Sequence, residues 1–293
     1  MSPSENQVNK DSKPFFISID LEDFTYDTLR NLNLDTKTNY AALDKCYEVI
    51  KNFSKNYLDS SKFTFFTTGT LAREYPELLS RITSDGHRIS SHYNFHDMMY
   101  EQSDAEIEEN ILIAKDSIKN ACGNYPLGFR APAFSIYPDN MKTYEILSKH
   151  FVFDSSYVLN NKCDQNFLEI FDSNQLTEFP IFTKKLFSKF NLKSGGTYFR
   201  LFSLGQIKSV MNHNLDNGFI PQVYLHPYDF LFKREFMVDL ISFISSKGII
   251  NGSSSYLRQH QWLSLRNKST LRKLKKISHD FNHLGTYEDY LGL

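Results

Sequence analysis

The sequence predicts an α/β protein built on a parallel sheet that is closed or nearly closed. Three observations lead there. Short apolar runs alternate with amphipathic segments along the chain. The polar residues with chemical potential fall where those apolar runs end. The length, 293 residues, suits an α/β barrel, which runs about 200–250 residues as one unit.

The elements follow in order. Pro14-Phe-Phe-Ile-Ser-Ile-Asp20 is an apolar run ending in an acid, as expected of a buried parallel strand. Residues 40–58 carry Leu43, Tyr47, Ile50, Phe53 and Tyr57 at helical spacing. Phe63 to Thr67 reads as a second strand, residues 70–84 as one helix stopped by Gly86. Ser103-x-x-Glu106 is a capping box opening a helix with Ile107, Ile111, Ala114 and Ile118 on one face. Gly128 to Arg130 and Phe151 to Phe153 read as strands, with a helix from Tyr144 to His150 between them. Leu204 to Asn217 is helical, Phe219 to Leu225 a strand and Phe236 to Ser246 a helix. Gly248-Ile-Ile250 reads as the start of the last strand.

Residues 1–13 are polar and read as a disordered leader without the apolar stretch of a signal peptide. Residues 14–293 read as one catalytic domain with a helical extension from about residue 255. That extension is basic at Arg258, Arg266, Lys268, Arg272, Lys273, Lys275 and Lys276. The plain reading is a solvated helix face packed on the barrel; the sharper one is a membrane-surface patch. A net charge of −1 gives no bulk attraction for nucleic acid. Cys46, Cys122 and Cys163 form no metal-ligand spacing and read as reduced thiols. No window approaches the roughly 18 apolar residues of a spanning helix. A cytoplasmic protein is expected, meeting any lipid-linked substrate at a membrane surface.

Asp20, Glu22 and Asp23 follow the first strand, His92 and His96 lie in a turn after Gly86-His-Arg-Ile-Ser90, and Arg130, Asp154 and His226 follow later strands. Active sites of α/β barrels lie at such strand ends. His92-x-x-x-His96 has metal-ligand spacing, since residues i and i+4 on a helical turn share a face. With one carboxylate, two imidazoles leave positions open for water, as a catalytic zinc-type site requires. A charge at Asp20 would be costly after so apolar a strand unless it is used or paired. Arg130, between Phe129 and Ala131-Pro132, wants a carboxylate partner, and Asp20 is the natural one. His226 precedes Pro227, which biases it to an extended backbone.

These residues resemble the NodB-homology polysaccharide deacetylases, in the intracellular or exopolysaccharide-linked subgroup. The resemblance runs from about Phe15 to Leu291. It is carried by Ser18-Ile-Asp-Leu-Glu-Asp-Phe24, Thr64-Phe-Phe with Gly69, and Gly86-His-Arg-Ile-Ser-Ser-His-Tyr-Asn-Phe-His96. Gly128-Phe-Arg-Ala-Pro-Ala-Phe-Ser135, Phe153-Asp-Ser-Ser156, Glu178-Phe-Pro180, Gly195-Gly-Thr-Tyr-Phe-Arg200 and Tyr224-Leu-His-Pro-Tyr228 continue it.

The resemblance implies a distorted parallel (β/α) barrel of about seven strands. It implies Asp20 as general base, Arg130 as its support and His226 as general acid. His92, His96 and a further acid of the first motif would hold a divalent metal, most often zinc. Here that motif reads Asp20-Leu-Glu22-Asp23, so either Glu22 or Asp23 could be the ligand. Asp154 would tune His226, and a backbone N–H near Ala133 would hold the oxyanion. The implied reaction is deacetylation of an amino sugar in surface polysaccharide or glycan biosynthesis, the sugar being nucleotide-linked, lipid-linked or polymeric. A peripheral membrane contact and a homo-oligomer stay open. The runner-up is a ureide or cyclic-amide hydrolase of purine breakdown on the same scaffold. A third reading is a non-catalytic carbohydrate-binding descendant, which would predict loss of Asp20 or His226; both are present.

Overall fold

The structure is a computed structural model of the 293-residue chain; residues 13–160, 171, 175–186 and 190–293 are described. Cys163 and residues 1–12 of the expected leader lie outside the described residues.

Strand β1, Pro14–Leu21, organises the molecule. Its side chains alternate between two faces. Phe15, Ile17, Ile19 and Leu21 join the outer core with Leu43, Cys46 and Ile50. On the other face Phe16 packs inside the curl of the sheet with Phe66, Phe153, Phe179 and Tyr287. Ser18 and Asp20 continue that inner row, which is how an apolar strand delivers a carboxylate to the interior.

The remaining strands are β2 (Thr64–Thr67), β3 (Arg88–Ser91), β4 (Gly128–Phe129), β5 (Phe153–Asp154), β6 (Val158–Leu159), β7 (Thr177–Glu178), β8 (Ile181–Phe182), β9 (Lys184–Leu186), β10 (Phe190–Leu192), β11 (Gln222–Leu225) and β12 (Asn282–His283). Seven of them run parallel in the order β11-β1-β2-β3-β4-β5-β7, with β12 added beside the start of β1. Among the described residues no pairing joins β7 to β11, so the sheet is a curled half-barrel. This is the distorted seven-stranded parallel architecture that the sequence predicts.

The helices are α1 (Phe24–Asn31), α2 (Ala41–Tyr57), α3 (Gly69–Glu74), α4 (Pro76–Ser84), α5 (Asp104–Cys122), α6 (Met141–His150), α7 (Gly196–Leu201), α8 (Leu204–Asp216), α9 (Pro227–Phe230), α10 (Leu240–Ser264), α11 (Thr270–Asp280) and α12 (Tyr287–Leu291). The capping box at Ser103 and Glu106 opens α5 as expected.

Three expectations are corrected. The single helix over 70–84 is two, because Pro76 cannot donate to the helix and pushes Tyr75 out of helical geometry. Gly248-Ile-Ile250 is not a strand but lies within α10, which folds back at Gly248 (φ +76°). Its β-branched pair mimicked a strand, yet the place beside β1 belongs to β12. The C-terminal extension also does more than coat the barrel. Tyr287 is buried inside the curl, donating to Gln222 Oε1 at 2.5 Å and accepting from Arg130 Nη2 at 3.3 Å. Glu288 beside it accepts from Thr64 Oγ1 at 3.0 Å and Ser90 Oγ at 3.1 Å, closing the floor of the half-barrel. No described helix is long and apolar enough to cross a membrane.

Candidate active site

Parallel register brings the strand ends to one level. Ile19 pairs with Leu225, Asp20 with Phe66, Thr67 with Ser91, and Ser91 with Phe129. The next residues along β3, β4 and β11 are His92, Arg130 and His226, and they surround Asp20.

Arg130 is fully buried and supplies the fixed charge of this end. Its Nη1 donates to Asp20 Oδ1 at 2.6 Å and to Ser18 Oγ at 2.8 Å; its Nη2 donates to Ser155 Oγ at 2.8 Å. Such a charge-assisted contact holds a carboxylate in one orientation. The pairing of Asp20 with Arg130 is the one expected from the sequence.

Glu22, His92 and His96 place one donor atom each within 4.8 Å of one another. The His92 Nδ1–H donates to the carbonyl of Arg130 at 2.8 Å. That bond fixes the tautomer and leaves Nε2 as a free acceptor, the arrangement typical of a metal-binding imidazole. Burial pushes His92 down to about 4, so its ring is neutral. His96 behaves differently. Burial opposes its charge, but Glu22 Oε2 at 2.9 Å from its Nε2, with Asp27 and Asp20 nearby, holds it up to about 9. Glu22, itself penalised by burial, is brought down to about 2 by His96, His226 and His92. This trio therefore has a strong appetite for positive charge, and two imidazoles with one carboxylate are a donor set suited to zinc.

The geometry chooses between the two acids left open by the sequence. Asp23 is the N-cap of α1: its Oδ1 accepts from the N–H groups of Thr25 at 3.0 Å and Tyr26 at 3.2 Å. Glu22 is the acid that faces the histidines. The histidines also do not meet by helical spacing. The 92–96 segment is a bend with Tyr93 at φ +69°, and it brings the two ring centroids to 5.4 Å.

His226 takes the extended backbone that Pro227 imposes (φ −107°, ψ 161°). Its Nε2 lies 3.6 Å from Glu22 Oε1, and its ring stacks on Tyr228 at 4.9 Å. Its Nδ1–H donates to Asp229 Oδ2 at 3.1 Å, and its backbone N–H donates to the same oxygen at 2.8 Å. Burial works against the imidazolium, but Asp229 and Glu22 outweigh it and raise the ring above its ordinary value. Asp229 is paired in turn with Arg200, Nε to Oδ1 at 2.6 Å, and both side chains are buried.

Asp154 does not reach His226, contrary to expectation. It accepts from Ser156 Oγ at 2.6 Å and shares a hydrogen bond with Glu178. The reason is strand alternation: Ser155, one residue on, is the position whose hydroxyl and carbonyl meet Arg130. Arg200, Tyr228 and Asp229 were the residues missed. The signal for Asp229 was its position three after His226, past a proline at the first turn, which is N-cap spacing.

Asp20, Glu22, His92, His96 and His226 line a cleft of about 560 Å³. Its walls carry Phe24, Phe134, Tyr198, Tyr224, Tyr228 and Trp262, flat faces suited to sugar rings. The Pro132-Ala133-Phe134 turn on one wall holds two successive non-glycine residues at positive φ, +51° and +58°. Such conformations cost on the order of 1–3 kcal/mol each and cluster at functional sites. Gly195 and Gly196 press against Tyr224, whose ring also meets Phe134 at 5.0 Å. A Cβ on Gly195 would lie 2.4 Å from the Tyr224 ring, so only glycine lets α7 and Arg200 approach β11.

Fold and site define a class: a parallel α/β half-barrel with a two-histidine, one-carboxylate centre at its strand ends. Residues 32–151 match the polysaccharide deacetylase family model. Residues 155–283 match that of a domain of unknown function, DUF3473. The segment 32–151 is thus similar to the polysaccharide deacetylase family. His92, His96 and Arg130 come from the first match, while Arg200, His226 and Asp229 come from the second. The second segment is thus no appendage: its strand β11 borders β1 and completes the cleft.

A chitooligosaccharide deacetylase of Bradyrhizobium is 34% identical over 70 residues, 24% of this chain and 32% of that protein. One from Azorhizobium caulinodans is 34% identical over 74 residues, 25% of this chain and 35% of that protein. The matched stretches thus span about a third of those relatives. The solved peptidoglycan deacetylase PdaC of Bacillus subtilis superposes with a TM-score of 0.47 at 13% identity, over 96% of this chain and 91% of that one.

Proposed function

We propose that the chain is a metal-dependent hydrolase that removes the acetyl group from an acetylated amino sugar during assembly of a surface polysaccharide or other glycan. The observation that carries this reading is the convergence of two separately anchored pairs, Asp20–Arg130 and His226–Asp229, on the Glu22–His92–His96 trio in one aromatic cleft. Residues 14–293 act in this reading as one catalytic unit, since both family matches contribute strands to one sheet.

A divalent cation, with zinc favoured by the donor set, supplies Lewis-acid polarisation when bound by Glu22, His92 and His96. Asp20, oriented by Arg130, takes a proton from the attacking water as the water oxygen bonds to the acetyl carbon. A backbone N–H near Ala133, one of the residues lining the cleft, holds the oxyanion in this reading. His226 gives its proton to the nitrogen as the carbon–nitrogen bond breaks, leaving acetate and a free amine. Asp229 keeps the imidazole protonated and aimed. The neighbouring aromatic rings hold the sugar, in keeping with the names of the chitooligosaccharide relatives.

The test is acetate release from a panel of nucleotide-linked, lipid-linked and polymeric acetamido sugars. Wild type should release acetate from at least one of them, and Asp20→Asn should lose on the order of 10²–10⁴-fold in rate. Equal rates for the two proteins would remove Asp20 from the chemistry.

A further inference from the structure

We propose that the folded-back helix α10 is a docking device for an anionic lipid bilayer, seating the cleft at a membrane surface. The helix reverses at Gly248, and its halves touch so closely that a Cβ on Gly252 would lie 2.7 Å from the backbone of Ile244. It is a tight two-helix hairpin, anchored by Phe243, which packs with Leu32 and Val238.

The hairpin is apolar where it should be polar. Ile249 and Ile250 follow the reversal and are 73% and 84% exposed; Ile241 is 75% and Leu257 62% exposed. Ile250 and Leu257, seven apart, share a helical face. Single exposed apolar residues are ordinary, but a cluster at a projecting bend marks an interaction surface.

Charge names the occupant. From Leu240 to His279 the chain has no Asp or Glu, although it carries −1 overall. Lys247 and Arg258 on the hairpin, and Arg266 and Lys268 just beyond it, are all exposed. Ile249 and Ile250 exposed at the bend, with Lys247 and Arg258 on the same hairpin and its nearest acid in sequence, Asp239, back at the helix N-cap, match the acyl boundary and headgroups of an anionic bilayer. Lys247, Arg258 and Trp262 also line the cleft, so docking would bring its mouth to where a lipid-linked glycan is displayed. The inference rests on the hairpin alone and stands whether or not the cleft deacetylates.

The experiment is co-sedimentation of the full chain with vesicles of phosphatidylcholine, alone or mixed with phosphatidylglycerol. Wild type should bind the mixed vesicles, and added salt should weaken the binding. The double variant Ile249→Glu/Ile250→Glu should bind about tenfold or more weakly, with an unchanged thermal unfolding midpoint. Lys268→Gln should weaken binding by about fivefold, the share of one cation near an anionic surface. Undiminished binding by the double variant would overturn the proposal, as would absence of wild-type binding to either vesicle. A concentration-dependent dimer that the double variant abolishes would also overturn it and assign the patch to a second copy of the chain.

Discussion

At the scale of single residues, two buried guanidiniums do parallel work. Arg130 pins the carboxylate of Asp20, and Arg200 pins that of Asp229. The pinned carboxylates differ in duty: Asp20 lines the cleft, whereas Asp229 acts through His226. Asp229 and Glu22 raise the His226 imidazole above its ordinary 6.5. Its acid form therefore persists to higher pH, and the alkaline limb of kcat/KM should lie above that value. Asp229→Asn removes the larger support, so the limb should move down, with kcat reduced on the order of 10²-fold. Asp154→Asn should leave the limb where it is, because Asp154 faces Ser156 and Glu178 instead. A pH–rate profile of the two variants decides the matter; a shift with Asp154→Asn and none with Asp229→Asn would reverse the assignment. The choice of Glu22 over Asp23 was also legible in part. Asp23 stands directly before the helical run Phe24-Thr25-Tyr26, the usual place of an N-cap, and a residue so employed is not free to turn to the histidines.

At the scale of elements, the sheet was readable where short apolar runs, as in residues 15–19 and 223–225, end in polar residues. The failures have local causes. Helix 70–84 broke at a proline, and the Ile249–Ile250 pair posed as a strand because β-branched residues carry strand preference wherever they sit. The two-residue strands β5 and β7 were too short for periodicity to show which face Asp154 takes. Facing each other across these strands, Asp154 and Glu178 are paired in register, Asp154 fully buried and Glu178 half-buried. Burial, and then the Asp154 charge, hold Glu178 well above its ordinary 4.5. A raised carboxyl keeps its proton in the folded state after the unfolded chain has lost it. The stabilisation is present below the unfolded pKa and fades as pH rises toward the folded one. Glu178→Gln keeps the donor without the titration. Relative to wild type it should gain stability as the pH is raised from 4.5 to about 8. Denaturant unfolding at both pH values checks this, and a constant difference between the proteins would contradict it.

At the scale of the whole molecule, a site assembled from both halves of the chain explains why neither family match contains it. The first match begins at residue 32, after Asp20 and Glu22, and ends at residue 151, before His226. Sheet closure by β11 and the floor formed by α12 depend on contacts between chain ends more than 200 residues apart, as between Thr64 and Glu288. Spacing within a sequence window cannot register such contacts. What the sequence did carry was the coincidence of acids and histidines at strand ends, and the parallel register converts that coincidence into a cleft.

The central claim is that Glu22, His92 and His96 form a metal centre that makes this cleft a deacetylase. The most direct measurement is acetate release by metal-stripped protein titrated with zinc, for wild type, Glu22→Gln and Asp23→Asn. Wild type should gain activity that saturates at about one equivalent of zinc per chain. Asp23→Asn should follow it, since asparagine caps a helix about as well as aspartate. Glu22→Gln should stay inactive at stoichiometric zinc. Activity that saturates identically in Glu22→Gln, or wild-type activity indifferent to stripping and zinc, would contradict the account.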